Sequence, residues 1–383
     1  MDFDLQWLLL GLPLTFALGW LASRLDLRQW KREQKDSPKA YYKGLNLLLN
    51  EQHDKAIDAF IEAVQQDPDT SDLHFALGNL FRRRGEFERA VRVHEHLLNR
   101  ADLAATERDR AQHALAQDFM KAGLFDRAEA AYRALEGTAF DTEARLALLT
   151  LHERSRDWRA AVEVAQKLEN RGTGSFAPRI SHYWCEIALE ADAKQQPDDA
   201  ASAVQHAREA SPQAARPIVL AGQRAGQRGD HAEVLSLWGA LMVSNPGAFN
   251  LVAREYAQSA IASGAGAAAT QRLRELHARA PTMDLLEALA LLDPEPAQQR
   301  ARLLAQMRNH PTLSVAKALI TQQDAASFDA AETKALGDAI GRAAKPLHRY
   351  RCAACGFEAQ HYFWQCPGCL NWDSYPPQRL EDL

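Results

Sequence analysis

The chain has 383 residues, 46% hydrophobic and 25% charged, an ordinary composition for a soluble protein and enough length for two or three domains. Its formal charge of −5 excludes a global basic field, and with it nucleic acid as the main partner. Four of its five cysteines fall within one 18-residue stretch, which points to a metal site in a reducing compartment and away from disulfides.

The first element is apolar. Residues 5–22 read LQWLLLGLPLTFALGWLA, 18 residues without a charge. That length just spans a thin or locally adjusted hydrocarbon core, and Trp7 and Trp20 sit near its ends, where amphipathic aromatics prefer the interface. A cleaved signal peptide would want a basic start, but the chain begins Met-Asp-Phe-Asp, and Leu21-Ala22-Ser23 is a weak cleavage match. No Lys or Arg precedes the segment, whereas Arg24, Arg28, Lys31, Arg32 and Lys35 follow it. The positive-inside rule then predicts a periplasmic N-terminus, one uncleaved pass, and a cytoplasmic bulk. The basic run can also touch anionic headgroups.

Repeats follow. Residues 40–68 align with 74–98: Gly44 with Gly78, Leu47 with Phe81, Ala56 with Ala90 and Phe60 with His94, each at an offset of 34. This period resembles the tetratricopeptide family, in which Gly44, Leu47, Ala56, Phe60, Ala63 and Pro68 match the signature positions. Small residues let two antiparallel helices approach, large ones fill the space beside them, and Pro68 ends the second helix. Phe119, Gly123, Ala128 and Tyr132 form a third copy at an offset of 38. Leu148, Trp158, Ala161 and Leu168 suggest a fourth, Trp184, Ala188, Ala200, Val204 and Pro212 a fifth, and Gly229, Ala232, Trp238 and Pro246 a sixth. Residues 250–281 and 283–311 read as two further helix pairs with little signature. Such a stack leaves a concave face free for a peptide or a partner's helix.

The last element reads RCAACGFEAQHYFWQCPGCLNW, residues 351–372. Its spacing, Cys352-x2-Cys355-x10-Cys366-x2-Cys369, makes each CxxC a tight turn that aims two thiolates at one ion. Gly356 supplies the left-handed residue after the first pair. Four thiolates suit structural zinc or a single iron. CxxCG followed by CPxC resembles the two knuckles of rubredoxin, but the 10-residue loop between them is far shorter than in that family, which argues against electron transfer. A module this small needs the metal and its aromatics, Tyr350, Phe357, Tyr362, Phe363, Trp364, Trp372 and Tyr375, to stay folded. Those rings read as core, or else as a docking face.

No catalytic constellation accompanies these parts, and the chain is read as a non-enzyme. His53, His74, His94, His96 and His113 form no HExxH pair and read as solvated or packing residues. His361 lies in the knuckle loop, where four cysteines already complete a shell. Cys185 reads as buried and inert. The run Arg82-Arg83-Arg84 reads as a solvated helix end. A carboxylate-peptide receptor would repeat a Lys/Asn pair along its first helices, and Lys43 and Asn46 occur once. A redox protein would need an exposed iron and a second cofactor.

Anchor, basic flank, repeats and knuckle, in this order, resemble the lipopolysaccharide assembly protein B family over nearly the whole chain. The resemblance is carried by GNLFRRRGEFERAVRVHEHLL (78–98), FMKAGLFDRAEAAY (119–132), HYWCEIAL (182–189) and the knuckle, and is weak between 191 and 345. It implies an adaptor at the inner membrane that regulates lipopolysaccharide synthesis. Its implied partners are the membrane protease FtsH, the deacetylase LpxC and other lipopolysaccharide synthesis and export proteins. It implies iron on Cys352, Cys355, Cys366 and Cys369, where sulfur chemistry allows zinc equally well. The expected organisation is a transmembrane anchor over 1–23, a basic linker over 24–37, a tetratricopeptide superhelix over 38–311, a helical connector over 312–346 and a rubredoxin-like module over 347–383.

Overall fold

The computed structural model describes residues 15–20, 42–66, 70–321 and 330–382. They are helical except for a small C-terminal module, and the chain divides into two compact units, Met1–Ala160 and Ala161–Leu383. The expected anchor falls largely outside the described residues. Its described part, 15–20, is helical. Among the described residues no helix is long and apolar enough to cross a membrane. Pro68 also lies outside them.

The first unit holds α1 (42–49), α2 (His53–Gln66), α3 (Ser71–Arg84), α4 (Phe87–Leu98), α5 (Ala105–Ala122), α6 (Phe125–Arg133) and α7 (Asp141–Ser155), with the first turn of α8 (Trp158–Asn170). The chain can reverse after α3 and α5 because Gly85 and Gly123 take φ of 82° and 76°, a left-handed conformation in which a side chain would be strained. Helix α7 makes the same turn on Arg156 at φ 58°. The predicted small-against-large packing is direct. A Cβ on Gly44 would come within 2.8 Å of the Phe60 ring, and one on Gly78 would strike the His94 ring. Forcing a methyl into either place costs about 1–3 kcal/mol.

His94 does more than fill space. It is fully buried, its Nδ1 lies 2.5 Å from Asp118, and Arg82 donates to the same carboxylate at 2.8 Å. Three helices, α3, α4 and α5, are thus tied through one buried carboxylate. Of the arginine run read as solvated, Arg82 belongs to this network and Arg84 pairs with Asp54.

The second unit continues with α9 (Ala177–Ala193), α10 (Pro197–Ala210), α11 (Ala215–Gln227), α12 (His231–Ser244), the short α13 (Pro246–Phe249), α14 (Ala253–Ala262), α15 (Gly266–Arg279), α16 (Met283–Leu292), α17 (Pro296–Asn309), α18 (Leu313–Thr321) and α19 (Ala330–Ala344). Asp230, Asn245 and Thr282 cap α12, α13 and α16 by accepting an amide hydrogen bond. In the sixth copy the small residue facing Trp238 is Gly222, on which a Cβ would strike the indole, and Gly229 is the turn residue at φ 76°, nine residues before its ring as Gly123 is before Tyr132. Of the two helix pairs read as carrying little signature, the first has one. Ala257, Ala269 and Leu273 repeat the 12- and 16-residue spacing of Gly222, Val234 and Trp238, and all three are buried. In the sequence of the fourth copy the 16-residue spacing falls on Leu149 and Ala165, a large residue first and a small one second.

Candidate metal centre

The module after α19 begins with a two-stranded antiparallel ribbon, β1 (Tyr350–Arg351) and β2 (Glu358–Ala359), closed by an Arg351–Glu358 ion pair at 2.7 Å. Its two CxxC turns are built alike. In the first, the Cys352 carbonyl accepts from the Gly356 amide at 2.9 Å and the Cys352 amide donates to the Phe357 carbonyl at 2.9 Å. In the second, the Cys366 carbonyl accepts from Leu370 at 2.8 Å and the Cys366 amide donates to Asn371 at 2.9 Å. Both turns close on a left-handed residue. Gly356 does so at φ 76°, as the sequence predicts, and Leu370 does so at φ 60° with a side chain attached.

These turns bring the four Sγ atoms of Cys352, Cys355, Cys366 and Cys369 within 4.8 Å of one another, with 3.8 Å between Cys352 and Cys369 and 3.6 Å between Cys355 and Cys366. A tetrahedral ion with metal–sulfur bonds of about 2.3 Å holds its sulfurs about 3.8 Å apart. The cluster therefore has the size and donor set for one ion. Cys352 and Cys366 are buried, Cys369 is half-buried and Cys355 is exposed. His361 is exposed and stands outside the cluster.

The electrostatics fit the same reading. Burial opposes ionisation of Cys352, but the Ser374 hydroxyl and the amides of Cys355 and Ala354 outweigh it and bring its pKa down to about 6. Burial likewise opposes ionisation of Cys366, and the amides of Cys369 and Gly368 override it. Cys355 gains from the Phe357 amide, yet desolvation and the three other sulfurs push it up to about 12. The turns favour thiolates, while the sulfurs resist ionising together. A bound cation removes that conflict. Cys185, by contrast, is raised to about 12 by burial, which agrees with an inert thiol.

The aromatics divide between core and docking. Tyr350 and Tyr375 are buried with Cys352 and Cys366 in the module's own core. Trp372 and Trp364 instead face the helices of the second unit. His182 of α9 stacks on Trp372 with centroids 4.6 Å apart, and its Nε2 lies 2.7 Å from Asp373. Arg216 of α11 sits 5.6 Å from the Trp372 ring and donates to Glu186 at 2.6 Å. Trp364 and Leu251 join the apolar cluster around Trp238 and Tyr256. The C-terminal tail makes a second attachment, where Arg379 donates to Asp284 of α16 at 3.0 Å. Near it, burial and the charges of Glu381 and Asp284 raise Asp382 to about 6. His182 and Arg216 were not singled out as contacts in the sequence. The available signal was the stretch HYWCEIAL, in which His182 stands beside Tyr183 and Trp184.

The family model described as the rubredoxin metal binding domain matches residues 350–376. Lipopolysaccharide assembly protein B of Escherichia coli K12 is 31% identical over 399 aligned positions, covering 98% of each chain. Its counterpart from Haemophilus influenzae Rd is 27% identical, over 97% of this chain and 98% of its own. Among solved structures, YrrB, titled a TPR protein with an unusual peptide-binding site, superposes with a TM-score of 0.34 at 15% identity, over 50% of this chain and 95% of its own.

Proposed function

This chain belongs to the lipopolysaccharide assembly protein B family, and we propose that it serves lipopolysaccharide assembly as a membrane-tethered scaffold that brings the deacetylase LpxC to the protease FtsH. The observation that carries the reading is the end-to-end match, 98% of both chains, which runs through repeats and knuckle alike. The tether is residues 5–22, with the repeats on the cytoplasmic side. An adaptor accelerates a reaction between two proteins by raising their local concentration, and a membrane anchor raises it further for a membrane-bound protease. The helix pairs supply binding surface. Cys352, Cys355, Cys366 and Cys369 would hold one iron or zinc ion, which supplies a crosslink between the two CxxC turns. His182 and Arg216 fix the rings of Trp372 and Trp364, so the module and helices α9 and α11 present one continuous surface.

The test is a pulse-chase of the deacetylase in cells that contain FtsH, with and without this protein. Depletion should lengthen the half-life several-fold and raise lipopolysaccharide. An unchanged half-life would remove the adaptor role. Elemental analysis of cytoplasmically produced protein should find one equivalent of iron plus zinc, and a red absorbance separates the first from the second.

A further inference from the structure

Helix α12 carries no charged side chain from Val234 to its end at Ser244. A surface helix of a globular protein turns an apolar stripe inward and a polar face outward. Helix α12 does not. Val234, Trp238, Leu241 and Met242 are buried, yet Ala240 on the opposite side is exposed and Val243 is 83% exposed. The outward face borders a groove of about 610 Å³, shared with α15 and lined by Leu235, Gly239, Val243, Arg272, Leu276 and Arg279.

The charges on this groove are mainly of one sign. Arg272 and Arg279 are exposed, and neither makes an ion pair among the described residues. The one acid of the lining, Glu275, accepts a hydrogen bond from Gln271 at 3.2 Å. The arginines stand seven residues apart on α15, two helical turns or about 10 Å.

Gly239 adds a third observation. Gly222 is needed because a Cβ there would strike Trp238, whereas a Cβ on Gly239 would meet only the mobile tip of Arg272, at 3.4 Å. A glycine inside a helix costs about 1 kcal/mol relative to alanine, so the fold itself does not call for this one. Its bare Cα leaves room for a backbone to approach from outside.

We propose that the α12/α15 groove receives one amphipathic helix of a protein partner. Its apolar stripe lies over Leu235, Val243 and Leu276, its backbone approaches closest at Gly239, and two carboxylates about two turns apart meet Arg272 and Arg279. The groove's concave shape and paired cations suit an acidic rod better than a flat lipid surface. The inference rests on the scaffold reading only in requiring a protein partner. An unchanged deacetylase half-life would sink that reading and leave this one standing.

The test uses the full-length chain in cells, with p-benzoyl-L-phenylalanine placed at the exposed position 243. Irradiation should give an adduct whose crosslinked peptide is an apolar-striped helix with acidic residues seven apart. A synthetic copy of that peptide should bind about tenfold more weakly to the Arg272→Glu/Arg279→Glu protein and nearly normally to the Arg272→Lys/Arg279→Lys protein. Gly239→Leu, which fills the groove and leaves both cations, should abolish the adduct. No protein adduct, an adduct to lipid or to a second copy of this chain, or equal binding to the two arginine variants would overturn the proposal.

Discussion

The repeat pairs and the knuckle both bring two stretches of backbone close together, and they do it with opposite chemistry. In the pairs, a missing side chain makes room for a ring: Gly44 for Phe60, Gly78 for His94, Gly222 for Trp238. The fit is local, so the stability is spread over many independent contacts. In the knuckle, two short turns converge on four sulfurs that repel one another once ionised. Stability there is concentrated at one point, and its sign depends on a cation. A repeat should lose a contact and stay folded, whereas the knuckle should fail as a whole.

The largest effect follows from that concentration. Cys352→Ser with Cys366→Ser removes both buried sulfurs of the cluster. Structural four-ligand sites contribute on the order of 10 kcal/mol to small modules, so the double variant should lose its metal equivalent and unfold residues 350–376. Far-UV circular dichroism should change little, because the helices keep their own contacts. Elemental analysis together with proteolysis of the C-terminal 40 residues reads both arms. Helicity lost along with the metal would mean that the array depends on the knuckle.

Within the array the largest local effect belongs to Asp118, the fully buried carboxylate between His94 and Arg82. Asp118→Ala leaves an arginine and a histidine facing each other without their anion, and breaking a buried pair in this way costs about 3–5 kcal/mol. Thermal unfolding should shift down by several degrees. The knuckle's metal content should not change, which separates the two regions directly.

Two glycines sharpen the contrast further. Gly222→Ala should destabilise by about 1–3 kcal/mol, because the new methyl meets the Trp238 indole. Gly239→Ala, on the same helix as Trp238, should stabilise by about 0.5–1 kcal/mol, because only a flexible arginine tip stands in its way. Chemical denaturation of the two variants gives opposite shifts of the midpoint. Equal shifts would mean that helix propensity, and not fit, governs these positions.

The sequence carried much of this. The period of 34 exposed Gly44, Gly78, Phe60 and His94 because each pair combines a glycine with a ring, an uncommon combination. It did not expose Ala257, Ala269 and Leu273, because alanine and leucine are common throughout the chain and a spacing of them stands out from nothing. In the sixth copy Gly229 and Trp238 keep the nine-residue spacing of Gly123 and Tyr132, and the slip lies at Ala232, which is exposed, where the four-residue step before the ring falls on the buried Val234. The four cysteines were legible from spacing alone. The docking of the knuckle was not, since Trp372 and His182 are 190 residues apart and stacking between distant rings leaves no periodic trace. Helix α12 entered the sequence reading only through Trp238 and its neighbours in the sixth copy, and the uncovered outer face at Ala240 and Val243 is seen only in the structure.

The smallest expected effect lies inside the knuckle and compares its two halves. The turns share the same pair of hydrogen bonds and the same left-handed closing residue, yet one closes on Gly356 and the other on Leu370. A left-handed conformation costs a residue with a Cβ about 1 kcal/mol that glycine does not bear. The Leu370 side chain is 40% exposed, so its apolar contacts offset only part of that cost. Leu370→Gly should therefore stabilise the module by up to about 1 kcal/mol and slow metal loss to a chelator by a few-fold, while thermal unfolding of the helices stays where it was. The reciprocal change, Gly356→Leu, should speed metal loss by a similar factor, because it places the same strain on the first turn. If Leu370→Gly instead speeds metal loss, the leucine side chain is shielding the cluster from solvent, and its strain is the lesser effect.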